Sequence, residues 1–554
     1  MFFVDQDLPG NKGRQMTLYR SYGKLDDPLI RDGDKGFQGI DSYLESTSLE
    51  PGKVEVSENM RLEGDLAETR KGIEFKAGAV TLTYSGTDQV FTSILFSDPA
   101  SNTEFIAVAT KDKVIIWNDQ NNSGINIAYP GGETVAAADN PSFVQAAEKL
   151  ILFRGASKTP LEWDGNYSSP TAFVVKANAS PGSGNIQCPN TTFGIFFSNR
   201  LIIPQPSDSR FTVLASQLLD TDVYKESESQ FRLSKGSATG GIIGFIGYQE
   251  SQLIVFQRNA IFLINNITST SVASTYEITA QFGCVARKSI AASGPQIYFL
   301  SDQGVMTLQQ GLDPAKGLGV SISKVSGEAK PLTQPIQDQF NNINYANADK
   351  AVGVTFQNKY FLAYPGTSTS TTNDRVAIFD ILSNSWSSID SFPAGFRIDD
   401  FVVVNHGTNP TRRRLFACSD KGWFLMEEAA TDITGTIGSA TTTSTAIAGR
   451  LKTRSFTLGD AGVKSWKGGE LGCNVSDGDQ FTVKLNTIDP DETSNTVLTE
   501  NSSTSEDKLL RFGSNRKRGF AASVEVNISA GRPSFRHVAV EGTKMGINSR
   551  REVV

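Results

Sequence analysis

The residues able to do acid–base or nucleophilic chemistry are sparse in this chain. There are two histidines, His406 and His537, and four cysteines, Cys188, Cys284, Cys418 and Cys473. Ser-His-Asp or Cys-His catalysis needs a base within hydrogen-bond reach of its nucleophile. His406 follows FVVVN and His537 follows GRPSFR, in separate parts of the chain, and neither has a GxSxG elbow nearby. The cysteines lie far apart with no CxxC pair, which argues against a zinc knuckle or redox motif and for free, mostly buried thiols in a reducing compartment. No GxxxxGK[S/T] phosphate loop is present. KGSATGGIIG at Lys235 is glycine-rich but lacks a βαβ setting. DGDKG at Asp32 and SDGDQ at Ser476 suggest calcium loops, yet neither has the later glutamate of an EF-hand, and solvated turns suit them better. Carboxylates are abundant, so a glycosidase pair stays open, since it is defined by a separation across a cleft. No catalytic residue, cofactor or metal site is assigned from these residues.

Two basic runs stand out, Arg412, Arg413 and Arg414 in TRRRLF and Arg516, Lys517 and Arg518 in SNRKRGF. Charges in a strand-rich setting usually blunt a sheet edge; contact with DNA or an acidic partner subunit is the alternative. Two hairpin phrases share another pattern: FLSDQGVM, with Ser301, Asp302 and Gly304, and ACSDKGWF, with Ser419, Asp420 and Gly422. The aspartates are expected to bond the backbone two residues on, and the glycines to adopt positive φ. The Asp-box of sialidase-like propellers spaces Ser-x-Asp-x-Gly, whereas here Ser and Asp are adjacent, so these read as structural turns.

The hairpins belong to a longer unit: an apolar strand, a polar turn, a second apolar strand, a looser loop and a third. Seven such units begin at Ile94, Phe143, Gly194, Phe245, Ile290, Val354 and Phe401, spaced 49, 51, 51, 45, 64 and 47 residues apart. A period near 50 residues in three-to-four-strand units marks a β-propeller, in which each small sheet is covered by its neighbours in the ring. Six to eight blades are expected. The 64-residue interval contains KVSGEAKPLTQPIQDQFNNINYANADK, a loop-like insertion. The expected organisation is an extended N-terminal arm at 1–45, a propeller at 46–430, a linker or low-complexity hairpin at 431–445 and a β-sandwich-like domain at 446–554. WD-repeat scaffolds have shorter periods and recurrent Trp-Asp; here Trp163-Asp164 is the single Trp-Asp.

Net charge is −7 over 554 residues, with 20% charged and 38% apolar. A dedicated nucleic-acid-binding module would be basic. No apolar run approaches the 18 residues of a membrane span, and MFFVDQDLPG lacks the basic and apolar regions of a signal peptide, so no leader and no membrane span are expected.

Three stretches resemble the tail-tube, or nozzle, proteins of short-tailed phages. LEPGKVEVSENMRLEGDLAETRKGI is similar to their N-terminal signature: Asn59-Met60 precedes a turn with Gly64 and then an Arg-x-Gly, Arg70-Lys71-Gly72, where many relatives have Pro in place of Lys71. SNRLIIPQ, GFIGYQESQLIVFQRNAIFLI and FGCVARKSIAASGPQIYFLSDQGV resemble their central propeller, including the Gly283 turn. VAIFDILSNSWSSI and RRLFACSDKGWFLME look like their late blades, and GRPSFRHVAVEG like their closing strands. The resemblance spans about residues 40–430; residues 1–40 match nothing. It implies a structural virion protein, not an enzyme, forming a ring of six copies below the portal-adaptor. Further expected neighbours are tail fibre or spike proteins, with double-stranded DNA passing through without tight binding and assembly in the host bacterial cytoplasm. The competing expectations are a glycan-binding or glycan-hydrolysing propeller and another tail component that binds receptor.

Overall fold

The computed structural model describes residues 29–76, 90–176, 182, 184–225, 229–233, 240–310, 318–320, 330–407, 412–439, 441–489, 491–515 and 517–544. Strand accounts for 54% and helix for 5%, against the one-third helix of an ordinary globular protein. The expected all-β class is therefore observed. Among the described residues no helix is long and apolar enough to cross a membrane.

Among the described residues six small sheets stand alone: five of four strands and one two-stranded pair, Asn185–Gln187 with Val223–Lys225. The five are antiparallel meanders opening with Thr92–Asp98, Ser142–Ala146, Ile195–Phe197, Ile242–Tyr248 and Ala291–Ser293. Two more four-stranded units are parts of larger sheets. One runs Val352–Phe356, Lys359–Tyr364, Arg375–Asp380 and Ser385–Ser391; the other runs Asp400–His406, Arg412–Ser419, Gly422–Ala429 and then Gly72–Phe75. The seven units read from the sequence are these seven, here called blades 1 to 7 in chain order. Their leading segments touch in succession around the ring, with the short turn Arg287–Ser289 serving blade 5, and Asp400–His406 of blade 7 touches Thr92–Asp98 of blade 1. The ring is closed by pairing the outer strand Gly72–Phe75, from ahead of blade 1, onto blade 7.

Inner and middle strands are apolar on both faces because blades cover both: in Lys149–Phe153 every residue but the first is buried. The apolar side chains between blades form separate clusters, such as Phe96, Leu152 and Trp163 between blades 1 and 2 and Phe256, Phe299 and Met306 between blades 4 and 5. The insertion of 330–350 is not a free loop in its described part: Ile336, Phe340 and Ile343 are buried, and Phe340 stacks on Tyr364.

The second body is a sandwich of two sheets. One continues the sheet of blade 6: Ser385–Ser391, Lys53–Glu58, Gly449–Thr453, Ala521–Ala530, Gln480–Ile488, Glu492–Asn501. The other orders Met60–Glu63, Leu66–Thr69, Ser534–Lys544, Lys464–Val475 and Glu506–Gly513. Trp466, Phe481, Val526, Phe535 and Val538 fill the space between them.

Two boundaries differ from expectation. The sandwich is discontinuous in sequence, because residues 53–69 supply three of its strands before the propeller begins. Of the expected arm, residues 1–28 lie outside the described residues, but Ile30–Asp34 pairs antiparallel with Ser534–Lys544, and Phe37 and Ile40 are buried. The polar look of IRDGDKGFQGI misled: Asp34 is buried because Arg454 Nε lies 3.0 Å from its Oδ1. Burial raises the Asp34 carboxyl above its usual range, opposed by that guanidinium. The stretch read as a linker or low-complexity hairpin forms a hairpin, Asp432–Gly435 with Thr442–Thr445.

Candidate functional site

The signature around Asn59 folds into a buried joint where propeller and sandwich meet. Arg70 is fully buried, and its Nη1 and Nη2 donate to Asp432 Oδ1 and Oδ2 at 2.8 and 2.7 Å. Its Nε donates to Asn59 Oδ1 at 3.0 Å, and Nη2 also to Ser391 O at 2.9 Å. The guanidinium lies 4.7 Å from the Phe392 ring centroid. Asn59, at φ 55, donates from Nδ2 to Ala448 O at 2.7 Å. Beside it Arg61 forks onto Asp390, at 3.0 and 2.7 Å, and also pairs with Glu427; the two carboxylates outweigh the cost of burial and hold the Arg61 guanidinium well above its ordinary pKa. Met60 is fully buried in the sandwich core. Gly72 opens the ring-closing strand, where a Cβ would meet Thr431 O at 2.0 Å. Gly64 stands apart, at φ 57 in an open turn between the strands that flank it. Bidentate, desolvated Arg–carboxylate pairs fix geometry, so the cluster locks two bodies together and offers no open face to a substrate.

The hairpins have the expected positive φ, 115° at Gly304 and 137° at Gly422. Their capping differs from expectation. In the first, Ser301 Oγ accepts from Gln303 N at 3.1 Å and donates to Gly304 O at 2.8 Å, while Asp302 reaches out to Arg258 of blade 4 at 3.0 Å. The serine hydroxyl is closer to the turn backbone, which leaves the carboxylate free to tie blades together. In the second, Ser419 Oγ donates to Asp420 Oδ1 at 2.9 Å, and Asp420 lies 3.7 Å from Arg397. Gly283 packs where a Cβ would meet Gln257 O at 1.9 Å.

A second locus lies where the inner strands begin. A cavity of about 610 Å³ is lined there by Thr92, Ser93, Ser142, Phe193, Arg287, Lys288, Thr355, Asp400 and Arg413, among others. Lys288 Nζ donates to Asp400 Oδ2 at 2.8 Å and to Asp399 O at 3.2 Å. Asp400 also accepts from Ser93 N at 3.1 Å. Among the described residues the Arg287 guanidinium has no hydrogen-bond partner and lies against the Phe193 ring, 4.9 Å from its Cζ. Desolvation brings the Arg287 pKa down to about 10, with Asp400 opposing. Behind this wall Asp399 is held above the usual carboxylate range by burial, offset by Arg397 at 2.8 Å. Sequence reading missed this locus because its residues are a few ordinary positions dispersed over six blades. Superposing the seven units would have revealed them, since Thr92, Ser142, Phe193, Arg287 and Asp400 all fall at or just before a unit's first strand.

The basic runs are distributed. Arg412 is exposed and pairs with Glu428, Arg414 lies 3.2 Å from Asp119 of blade 1, and Arg413 lines the cavity. Arg516 lies outside the described residues; Lys517 and Arg518 are exposed on the sandwich. His406 Nδ1 is 2.8 Å from Asp119 Oδ2, and His537 Nε2 is 3.6 Å from Glu470 Oε1. Among the described residues no hydroxyl or thiol is hydrogen-bonded to either ring. All four cysteines are free and buried, as expected, and burial raises their thiol pKa values to between about 11 and about 12.

No family model matches this sequence, and no curated protein does. Among solved structures the chain is similar to the extracellular domain of a hybrid two-component system from B. thetaiotaomicron, at 11% identity and TM-score 0.33 over 70% of this chain and 52% of that one. It is also similar to Chaetomium thermophilum Raptor, at 11% identity and TM-score 0.37 over 66% of this chain and 30% of that one. The match thus spans about half of the first protein and under a third of the second, and likeness at this level carries no functional argument.

Proposed function

We propose that the chain is a structural subunit of a short-tailed phage tail. Copies of it, six by the resemblance, form a nozzle ring below the portal-adaptor, flanked by fibre or spike proteins. The reading is carried by where the resemblance residues lie. Asn59, Met60, Arg70 and Gly72 are internal, at the joint of propeller and sandwich, so the signature specifies a rigid two-part body rather than a substrate pocket. Exposed strand edges support association between copies: Glu492–Asn501 and Glu506–Gly513 each end a sheet and pair on one side only among the described residues, and bare edges are templates for pairing. A cavity of about 610 Å³ is that of a small-ligand pocket, so a DNA duplex would run between copies, not through a propeller.

The glycosidase alternative needs two carboxylates facing one cleft. Asp400 is the one acidic side chain lining the cavity among the described residues, and Lys288 ties it down. Multi-angle light scattering and negative-stain imaging of the purified protein test the proposal. A ring supports it; a monomer that hydrolyses glycans sinks it.

A further inference from the structure

We infer that the cavity where the inner strands begin binds a small molecule through an oxyanion, a phosphate or carboxylate group, with Arg287 as the recognising fork. The site is independent of the joint at Arg70 and of the ring proposal. Three cations line the cavity, Arg287, Lys288 and Arg413, against one carboxylate, Asp400. Lys288 and Asp400 satisfy each other. The other acid nearby, Asp399, has its own partner in Arg397. The guanidinium groups of Arg287 and Arg413 have no carboxylate or carbonyl partner among the described residues. Among the described residues the lining therefore carries two more positive than negative side chains, and Asp400 offsets Arg287 only through space.

Arg287 is held in place for this. It opens the turn Arg287–Ser289, pinned by buried Ser289, whose Oγ donates to Ala286 O at 2.7 Å and accepts from Leu300 N at 3.0 Å. Tyr360 donates to Ser289 O at 2.8 Å. Blade 4 passes close at Gly244, where a Cβ would meet Ile290 Cδ1 at 2.7 Å and Arg287 Cγ at 3.4 Å. The face of the guanidinium stacks on Phe193, which leaves its N–H edge for a ligand. A planar fork presented edge-on is matched by the oxygen pair of a carboxylate or phosphate. Ser93 Oγ, beside the Cys418 thiol, has no oxygen or nitrogen partner among the described residues, whereas the Ser142 and Thr355 hydroxyls in the lining already donate to Thr192 O and Ala292 O, each at 2.8 Å. The volume fits a small organic anion.

The experiment is isothermal titration of the full chain at low ionic strength with inorganic phosphate and, separately, citrate, which distinguish a phosphate from a carboxylate ligand. Wild type is compared with Arg287→Met, which keeps the apolar stem on Phe193, and with Arg413→Ser at the exposed rim. Saturable binding of at least one probe is expected, weakened tenfold or more in Arg287→Met. If that variant does not fold, Arg413→Ser decides, with tenfold weakening expected. No saturable binding of either probe, or wild-type affinity in every folded variant, overturns the inference.

Discussion

Replacing Asp432 with alanine should unfasten the ring at its seam. Asp432 takes both Nη groups of Arg70, at 2.8 and 2.7 Å, and the backbone N–H of Ile73 at 3.2 Å. Ile73 lies in Gly72–Phe75, the strand that closes blade 7. The variant leaves Arg70, a residue 1% exposed, without its main counter-charge. Breaking a buried pair from one side costs about 3–5 kcal/mol. The lower end applies here, because Asn59 and Ser391 still accept from Arg70 and Asp390 Oδ2 lies 3.9 Å from its Nε. A loss of about 3 kcal/mol is therefore expected in urea unfolding. Hydrogen exchange should quicken first in residues 72–75, since local opening follows the weakest contacts. Adding Arg70→Met should recover part of the loss, because no charge is then left buried alone. A loss under about 1 kcal/mol, or exchange unchanged in that strand, would refute the view that this pair holds the seam.

Three further outcomes follow from the same structure. Gly304→Val should destabilise by at least about 1–3 kcal/mol of backbone strain, since φ is 115° and a Cβ would meet Thr333 Oγ1 at 2.1 Å; unchanged thermal unfolding would count against it. Stability should fall as pH rises from about 9 towards about 12. Burial raises the Cys284 and Cys418 thiols from 9.0 to about 12, so between those values the unfolded chain loses protons that the folded chain keeps; a flat profile there would contradict their burial. Deleting residues 1–45 should impair folding itself, because it removes the strand Ile30–Asp34 and the buried Phe37 and Ile40, side chains worth about 1.5–3 kcal/mol each; a truncated chain with wild-type urea stability would show the segment to be dispensable.

The blades were legible because every unit repeats one physical requirement, apolar strands covered on both faces and broken by turn residues. That pattern placed all seven first strands within a few residues. The hairpin glycines were legible for the same local reason. The ring closure was not, because Gly72–Phe75 is four residues whose partner lies some 350 positions away, and nothing in GIEF announces it. The N-terminal strand was hidden by charge: Asp32 and Asp34 read as solvated until Arg454 is placed against them. The joint was half legible. Arg70 and Asn59 stood out through the resemblance, but Asp432 lies in a Thr/Ser-rich stretch that read as linker. The cavity where the inner strands begin was illegible from local sequence, since six blades supply a few ordinary residues each and only ring geometry makes them neighbours.

The most direct test of the structural-subunit proposal is the mass of the assembled particle. Native mass spectrometry of the full-length protein, at concentrations where tails assemble, is expected to give a closed oligomer at six times the 59.9 kDa chain mass, with a central opening in matched negative-stain images. A chain that stays monomeric across that range and cleaves glycans would contradict it.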